Sequence, residues 1–418
     1  MRYSLLSLVA CPVCASSLSC LVLEERPETT PEGLFGGGDR VSAGPGVGPA
    51  APGEAGAPLS PVGALLRRHA TPAAPEARGL QVGVETGLLA CGGCGRWFPI
   101  EQGIPELLPD HLRDAAREAS LFEVATQALP TDLRDALAAF QPSGDAGSDP
   151  GAHHKHAEIT LKDRVDEPGF FGPGYSSPFN PWNPSFTFYL ITLLGNVFPL
   201  LDLKRGELLV DSGCGYAWTS EWFYRSGIDT IGFDICRTYL DIGVQRMGAS
   251  RPHLVVADVE NLPIRPGSAD AVLAYESFHH LPDRPAAMRS YDRALKANGR
   301  VVLAEPGAAH EDAQVSVDVM KKYGILEKGM ELADVIGYAA GTSLGSAEQH
   351  YIVHARGAEL HRVLDPAFVH ANAVVTNNLF TLVKGGTPGT AGAPVARRRI
   401  WPKIKRRIKA ALLRIGLD

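Results

Sequence analysis

Positive charge is in short supply in this 418-residue chain. Lys and Arg number 40 against 46 Asp and Glu, for a net charge of −6. A surface that tracks nucleic acid should be basic, so the balance disfavours that class of partner. Long apolar runs are missing as well, and no segment reaches the length expected of a transmembrane helix. Cysteine is sparse: seven residues suit a reducing cytoplasm better than a disulfide-built exterior. One particular glycine is also absent. A dinucleotide fingerprint G-x-G-x-x-G opening at Gly213 needs glycine at position 218, and the chain has Trp218 there. That bulk sits where a pyrophosphate-binding fold wants close helix–strand packing.

What is present around that point is a cofactor-site layout. The apolar run Glu207-Leu208-Leu209-Val210 reads as a strand, Gly213 and Gly215 open a tight turn, and Tyr216 to Arg225 reads as a helix. A second short strand, Thr230 to Phe233, ends on Asp234, 21 residues after Gly213. Glycines let backbone approach a ligand, and an acidic residue at the next strand tip accepts ribose hydroxyls. This predicts an adenosine-containing cofactor.

Four further pieces follow in order: Ala257-Asp258-Val259-Glu260-Asn261-Leu262-Pro263; the strand Asp270 to Ala274; Glu276-Ser277-Phe278-His279-His280-Leu281-Pro282-Asp283; and Leu295-Lys296-Ala297-Asn298-Gly299-Arg300 leading into the strand Val301 to Glu305. Together with Asp211-Ser212-Gly213-Cys214-Gly215 this series resembles the class I S-adenosylmethionine-dependent methyltransferases, in particular the type 11 group. The resemblance implies an α/β Rossmann-like fold with a seven-stranded, mostly parallel sheet. It places Asp211, Gly213 and Gly215 around the methionine moiety, Asp234 on the ribose, and Asp258 with the Val259 backbone at the adenine edge. Ile235 and Leu262 are candidates for the apolar wall. Ala217 stands where the commoner pattern has its last glycine.

Methyl transfer from an activated sulfonium needs chiefly an aligned nucleophile. A base is required only when the acceptor retains its proton. His279 and His280, after the fourth strand, are the candidate bases, with packing beside the cofactor or capping of the next turn as the alternative. Glu276 and Tyr275 are weaker candidates, and Cys214 reads as a small filler in the turn. The fourth strand lacks the N/D-P-P-Y pattern of exocyclic base-nitrogen methylation and any Pro-Cys pair for cytosine C5. No acidic cluster points to a catechol-type magnesium site.

At the N-terminal end Cys11-Pro12-Val13-Cys14 and Cys91-Gly92-Gly93-Cys94 form two C-x-x-C knuckles. Four thiolates in two pairs match tetrahedral structural zinc. A redox pair and a lipoprotein cleavage box at Leu8-Val9-Ala10-Cys11 are the competing readings. The first lacks a thioredoxin-like context, and the second has too short a leader. With Pro99-Ile100-Glu101-Gln102-Gly103-Ile104-Pro105 after the second knuckle, this region resembles the small zinc-ribbon family that activates transfer-RNA and protein methyltransferases. Cys20 and Cys236 read as buried thiols.

Residues 31–80, rich in Pro, Gly and Ala, read as a disordered insertion within a ribbon domain spanning 1–109. A helical segment and a polar linker carrying His153, His154 and His156 span 110–156, and the methyltransferase domain spans 157–395. Inside that domain 170–179 reads as a lid or a packed loop. Helices are expected over Ser185–Val197, Asp312–Tyr323 and Leu326–Ala340, and the sixth and seventh strands over Tyr351–Ala355 and Ala373–Val383.

From Arg397 to Asp418 the net charge is +8, leaving −14 on the remainder. Pro402 opens a helix with Ile404, Ile408, Ala411, Leu412 and Ile415 on one stripe. This basic amphipathic segment, 396–418, suits a membrane surface or a polyanion, or else packs on the protein body with its charges solvated.

The expectation is a cytoplasmic methyltransferase, peripheral to the inner face of the membrane if the tail binds there. It would act on a small molecule or a saccharide, lipid-linked saccharides included. The alternatives are an RNA or protein methyltransferase with a fused activating ribbon, and a non-enzymatic cofactor-binding scaffold.

Overall fold

A computed structural model of the chain describes residues 1–27, 60–69, 82–140, 149–160, 177–353 and 378–385, apart from 128, 141–148, 150, 182 and 249, with a few positions between 361 and 368. The basic tail, the segment 170–176 and most of the Pro/Gly/Ala-rich insertion lie outside the described residues. One part of that insertion is ordered: Pro61–His69 is a helix, α1. Its Val62 and Leu66 are buried against Leu88, Ala90 and Trp97, so the local composition concealed a packed amphipathic turn.

The catalytic half builds from short buried strands: β5 (Leu208–Ser212), β6 (Asp229–Asp234), β7 (His253–Ala257), β8 (Ala269–Tyr275), β9 (Leu295–Glu305), β10 (Leu344–His350) and β11 (Asn378–Lys384). Strand β5 is buried throughout, the near-continuous apolar pattern of a parallel strand covered on both faces. Numbered within this half, the spatial order is 3-2-1-4-5-7-6, with only β11 antiparallel to its neighbours. This is the expected seven-stranded Rossmann-like sheet.

One of its strands shifts from the sequence expectation. The sixth is Leu344–His350, ahead of the expected Tyr351–Ala355; the described part of the seventh is Asn378–Lys384, and positions 373–377 of the expected strand lie outside the described residues. Strand β11 lies between β9 and β10, with Asn378 opposite Glu305 and Val383 opposite Arg300 on one side and Leu344 opposite Lys384 on the other.

The ribbon supplies β1 (Leu18–Pro27), β2 (Val82–Cys91), β3 (Trp97–Glu101) and β4 (Ile104–Leu107), an antiparallel meander. It is no separate body. Strand β4 pairs in parallel with β7, Glu106 opposite Val256 and Leu107 opposite Ala257, giving one eleven-stranded sheet. Leu107 enters the same core as Leu5, Val9, Phe98, Val255 and Ile264, while Ile104 joins Cys214, Leu240 and Val256 in a second cluster. The junction is tied at its rim too: the Ala10 N–H donates to the Pro263 carbonyl at 3.0 Å and the Arg265 N–H to the Leu8 carbonyl at 2.7 Å.

Helices α2 (Ala115–Thr126) and α3 (Thr131–Ala138) cover the ribbon, and α4 (Ala152–Ile159) crosses toward the strand tips of the catalytic half. The end of the expected polar linker that carries His153, His154 and His156 is therefore helical. Helix α5 (Pro184–Leu201) is capped by Asn183, whose side chain accepts the Phe186 N–H. Its 18 residues are long and apolar enough to cross a membrane by length and composition, a property the sequence reading missed. In this fold Leu190, Leu193, Leu194, Val197 and Leu201 pack on Leu209, Leu273 and Val302 of the sheet. Helices α6 (Trp218–Arg225), α7 (Arg237–Met247), α8 (Arg284–Ala294), α9 (Gln314–Tyr323) and α10 (Leu332–Tyr338) complete the layers.

Leu107→Ala tests the shared core. Truncating this fully buried side chain should cost about 2–5 kcal/mol. Denaturant unfolding followed at both ribbon and catalytic-half probes should show the loss in one shared transition.

Candidate active site and metal centre

The turn after β5 has the geometry a ligand-facing backbone requires. Gly213 and Gly215 take φ of +70° and +51°, a region that favours glycine. A Cβ on Gly213 would lie 2.6 Å from the Ser277 Cβ, whereas one on Gly215 would meet nothing within 4 Å. The first glycine lets the tips of β5 and β8 touch, and the second leaves an open face. Ala217, at φ +55°, ends the turn and starts α6.

Asp234 closes this turn from the end of β6. Its carboxylate accepts the Gly215 N–H at 2.7 Å and the Cys236 N–H at 2.8 Å. Burial pushes its pKa up to about 6, against the pull of those two amides. Asp211 is also buried and accepts the hydroxyls of Thr219 (2.7 Å) and Ser220 (2.5 Å) through one oxygen. Its other oxygen has no hydrogen-bond partner among the described residues. A cationic or hydroxyl-rich ligand would satisfy it, so the cradle fits an adenosyl sulfonium. Cys214 is buried with its sulfur close to Gly232, the filler role expected of it.

The adenine side is held by a group that sequence reasoning missed. Lys155 of α4 places its ammonium 2.9 Å from Asp258, 2.8 Å from Asp149 and 2.5 Å from Glu260. Burial opposes its charge, but the carboxylates outweigh burial and raise its pKa. The other Asp258 oxygen accepts the Glu260 N–H, and Val259 is buried beside it. Ile235 is half-buried on the cluster that also receives Ile159 of α4. Leu262 instead lies in the central core, which removes it from the wall. Helix α4 thus covers the tips of β6 and β7, and Glu158 feels Asp234 closely enough that burial and that charge raise its pKa to about 8.

On the acceptor side His279 and His280 differ sharply. His279 is buried, with Nδ1 2.7 Å from Glu305 and Nε2 3.5 Å from Glu327. Burial alone would lower its pKa, but the two carboxylates raise it to about 10. Held between two carboxylates, this imidazole would have to give up a stabilised proton before it acted as a base. Burial and the His279 charge lower His280 to about 3, so it is neutral but a weak acceptor of protons. Tyr275 donates its hydroxyl to the Leu190 carbonyl at 2.7 Å, a packing role. Glu276 sits at φ +53° on the strand tip and accepts the Tyr189 hydroxyl at 2.8 Å. Burial raises its pKa to about 7, leaving it the better-tuned base of this side.

Cys11, Cys14, Cys91 and Cys94 converge from the two knuckles, their sulfurs all within 4.8 Å of one another. Cys11 and Cys94 are 3.7 Å apart, Cys14 and Cys91 3.4 Å. A tetrahedral zinc with bonds of about 2.3 Å sets sulfurs about 3.8 Å apart, so the donors fit this metal. The Cys94 N–H points at the Cys91 sulfur at 3.5 Å, support of the kind that orients metal thiolates. A hydrogen bond with Cys11 pulls Cys91 down, but Cys94 and burial outweigh it and push Cys91 up to about 12, while donors from Cys11 and Cys91 lower Cys94.

Comparisons with known proteins agree with this geometry. Residues 210–303 match the type 11 methyltransferase domain family, and residues 2–103 match the Trm112p-like protein family. The chain is 28% identical over 149 residues to methyltransferase GfsG of Streptomyces halstedii, covering 34% of this chain and 54% of that protein. It is 32% identical over 108 residues to demethylmenaquinone methyltransferase of Thermobifida fusca, covering 25% of this chain and 46% of that protein. The chain therefore spans about half the length of each. A solved complex of the Haloferax volcanii Trm112 methyltransferase activator with a methyltransferase superposes with a TM-score of 0.38 at 19% identity, over 47% of this chain and 89% of that one. Sheet order and family matches together define a class I methyltransferase fold. The chain joins a methyltransferase domain to an N-terminal Trm112p-like domain with a four-cysteine zinc centre.

Two outcomes are expected. The purified chain should carry one tightly held zinc, and Cys91→Ser should lose it by elemental analysis and lower the melting temperature of the whole chain, because the ribbon core is continuous with the catalytic core. Lys155→Met, which strands three carboxylates, should cost about 3–5 kcal/mol in chemical denaturation.

Proposed function

We propose that this chain transfers a methyl group from S-adenosylmethionine to a small-molecule or saccharide acceptor, lipid-linked saccharides included. The observation that carries the acceptor class is the charge of the acceptor side. Glu276, Glu305, Glu327 and Glu158 surround the tip of β8, and His279 is enclosed with them. A site walled by buried carboxyl groups, two of them pushed toward the neutral form, disfavours a phosphate backbone and suits a small neutral or cationic group. The relative named demethylmenaquinone methyltransferase supports a small acceptor.

When bound, the cofactor supplies a methyl group already activated on a sulfonium. The residues of this chain have correspondingly simple tasks. Asp234 accepts the ribose hydroxyls with lone pairs its two backbone donors leave free. Asp211 sets a buried negative charge near the cationic centre. Gly215 permits close approach of the backbone. Glu276, anchored by Tyr189, is placed to take a proton from an acceptor that retains one. Helix α4 excludes water from above.

Asp234→Ala should weaken cofactor binding by roughly 10- to 100-fold, the loss of charge-assisted hydrogen bonds. Because the ionised carboxylate is the acceptor and its pKa lies at about 6, affinity should hold above pH 6 and fall below it. Isothermal calorimetry with S-adenosylmethionine from pH 5 to pH 8 checks both. Unchanged affinity in the variant would remove Asp234 from the site. For the acceptor, labelled cofactor offered with RNA, protein, lipid and small-molecule fractions should deposit label in the last two.

A further inference from the structure

We propose that His279, His280 and Glu327, joined by His310, form a second metal site that takes a divalent transition-metal ion at the acceptor end of the cleft. The site rests on the methyl-transfer reading for its use, though not for its existence. Its ligands come from two places. His279 and His280 sit on the single turn Phe278–His280 after β8, while His310 and Glu327 flank α9 in the segment following β9. One ligand atom each from His279, His280 and Glu327 lie within 4.8 Å of one another, and the His310 Nε2 stands 2.6 Å from a Glu327 oxygen.

What distinguishes this cluster from an ordinary ion-pair network is how the imidazoles are held. His279 Nδ1 is engaged at 2.7 Å by Glu305, a fully buried carboxylate that also accepts the N–H groups of Ser277 (3.2 Å) and Phe278 (2.9 Å). His280 Nδ1 is engaged at 2.7 Å by the Leu326 carbonyl. With both Nδ1 atoms donating, Nε2 is the nitrogen each ring offers a metal, which at His279 would displace the proton facing Glu327 at 3.5 Å; this is the carboxylate– or carbonyl–histidine support typical of metal ligands. A further carboxylate, Glu158 of α4, has one buried oxygen without a hydrogen-bond partner among the described residues, 3.6 Å from His280 Nδ1.

Two imidazoles and a carboxylate are the donor set of a facial triad with open positions. It suits zinc, iron(II), cobalt or manganese rather than calcium or magnesium. The cluster lies just beyond the tip of β8, where such positions would face the acceptor. The substrate class this implies is a small molecule with a metal-binding hydroxyl. Coordinated there, the hydroxyl gives its proton to solvent. Its oxygen then forms the O–CH3 bond as the S–CH3 bond breaks, leaving a neutral thioether.

The test is cobalt(II) titration of the full-length, zinc-loaded chain, with S-adenosylmethionine calorimetry on the same samples. One further equivalent of Co2+ should bind, showing nitrogen/oxygen d–d bands without sulfur-to-cobalt charge transfer. Glu327→Gln should weaken it at least tenfold, and Glu305→Gln roughly 10- to 100-fold. His310→Gln, at the half-exposed rim, serves as a second ligand variant should Glu327→Gln fail to fold. No Co2+ beyond the cysteine centre, or equal affinity in folded ligand variants, overturns the site. If Co2+ fails to bind while cofactor binding is intact, only this inference falls. If Co2+ binds and the cofactor does not, the site stands and the methyl-transfer reading falls.

Discussion

The pairing of β4 with β7 decides what kind of molecule this is. Two residue pairs, Glu106 with Val256 and Leu107 with Ala257, turn a small ribbon and a seven-stranded sheet into one sheet. An edge strand left open offers unpaired backbone groups, and here the ribbon closes the β7 edge. Side chains continue the union on both faces, Leu107 on one and Ile104 on the other. Since β7 ends at Ala257, immediately before Asp258, the ribbon buttresses the strand that leads into the adenine-side carboxylate. Asn261, three residues further, donates to the Pro12 carbonyl inside the first knuckle at 2.6 Å. The zinc centre and the cofactor cradle are therefore mechanically adjacent.

Charge follows the same seam. Glu106 on β4 is buried between Arg117 of α2 (2.8 Å) and Arg237 of α7 (2.7 Å), which bridges the two halves. Arg113 pairs with Glu118 at 2.5 Å under Trp97. Removing one partner of such pairs costs more than the pair contributes, so they specify the docked arrangement more than they add stability. Lys155 plays that part for α4, gathering three carboxylates that would otherwise repel one another over the cofactor site.

The active-site side chains show how environment separates like residues. Adjacent histidines are driven in opposite directions, one pushed up by the carboxylates around it and the other pushed down by burial beside it. Glu276 and Glu305 share a strand-tip region, yet Glu305 is tied by backbone amides while Glu276 keeps a tyrosine partner and a raised pKa. Such divergence is what an acid–base or metal-assisted site requires.

Local spacing in the chain determined a good deal. The turn of Gly213 and Gly215, closed by Asp234, was legible as geometry because the turn and the next strand tip are one short strand–helix unit apart. The four knuckle cysteines were readable because each pair is self-contained. Tertiary structure decided the rest, for reasons of distance and context. Lys155 meets Asp258 across 103 residues, and His279 meets Glu305 and Glu327 from separate loops. No periodicity marks residues that converge only when the sheet is assembled. Helix Pro61–His69 was hidden because composition averages over a segment, whereas burial of Val62 and Leu66 depends on the ribbon face it meets. The place of β10 was set by its partner β11 rather than by its own residues, since hydrogen-bond register belongs to the pair and not to either strand.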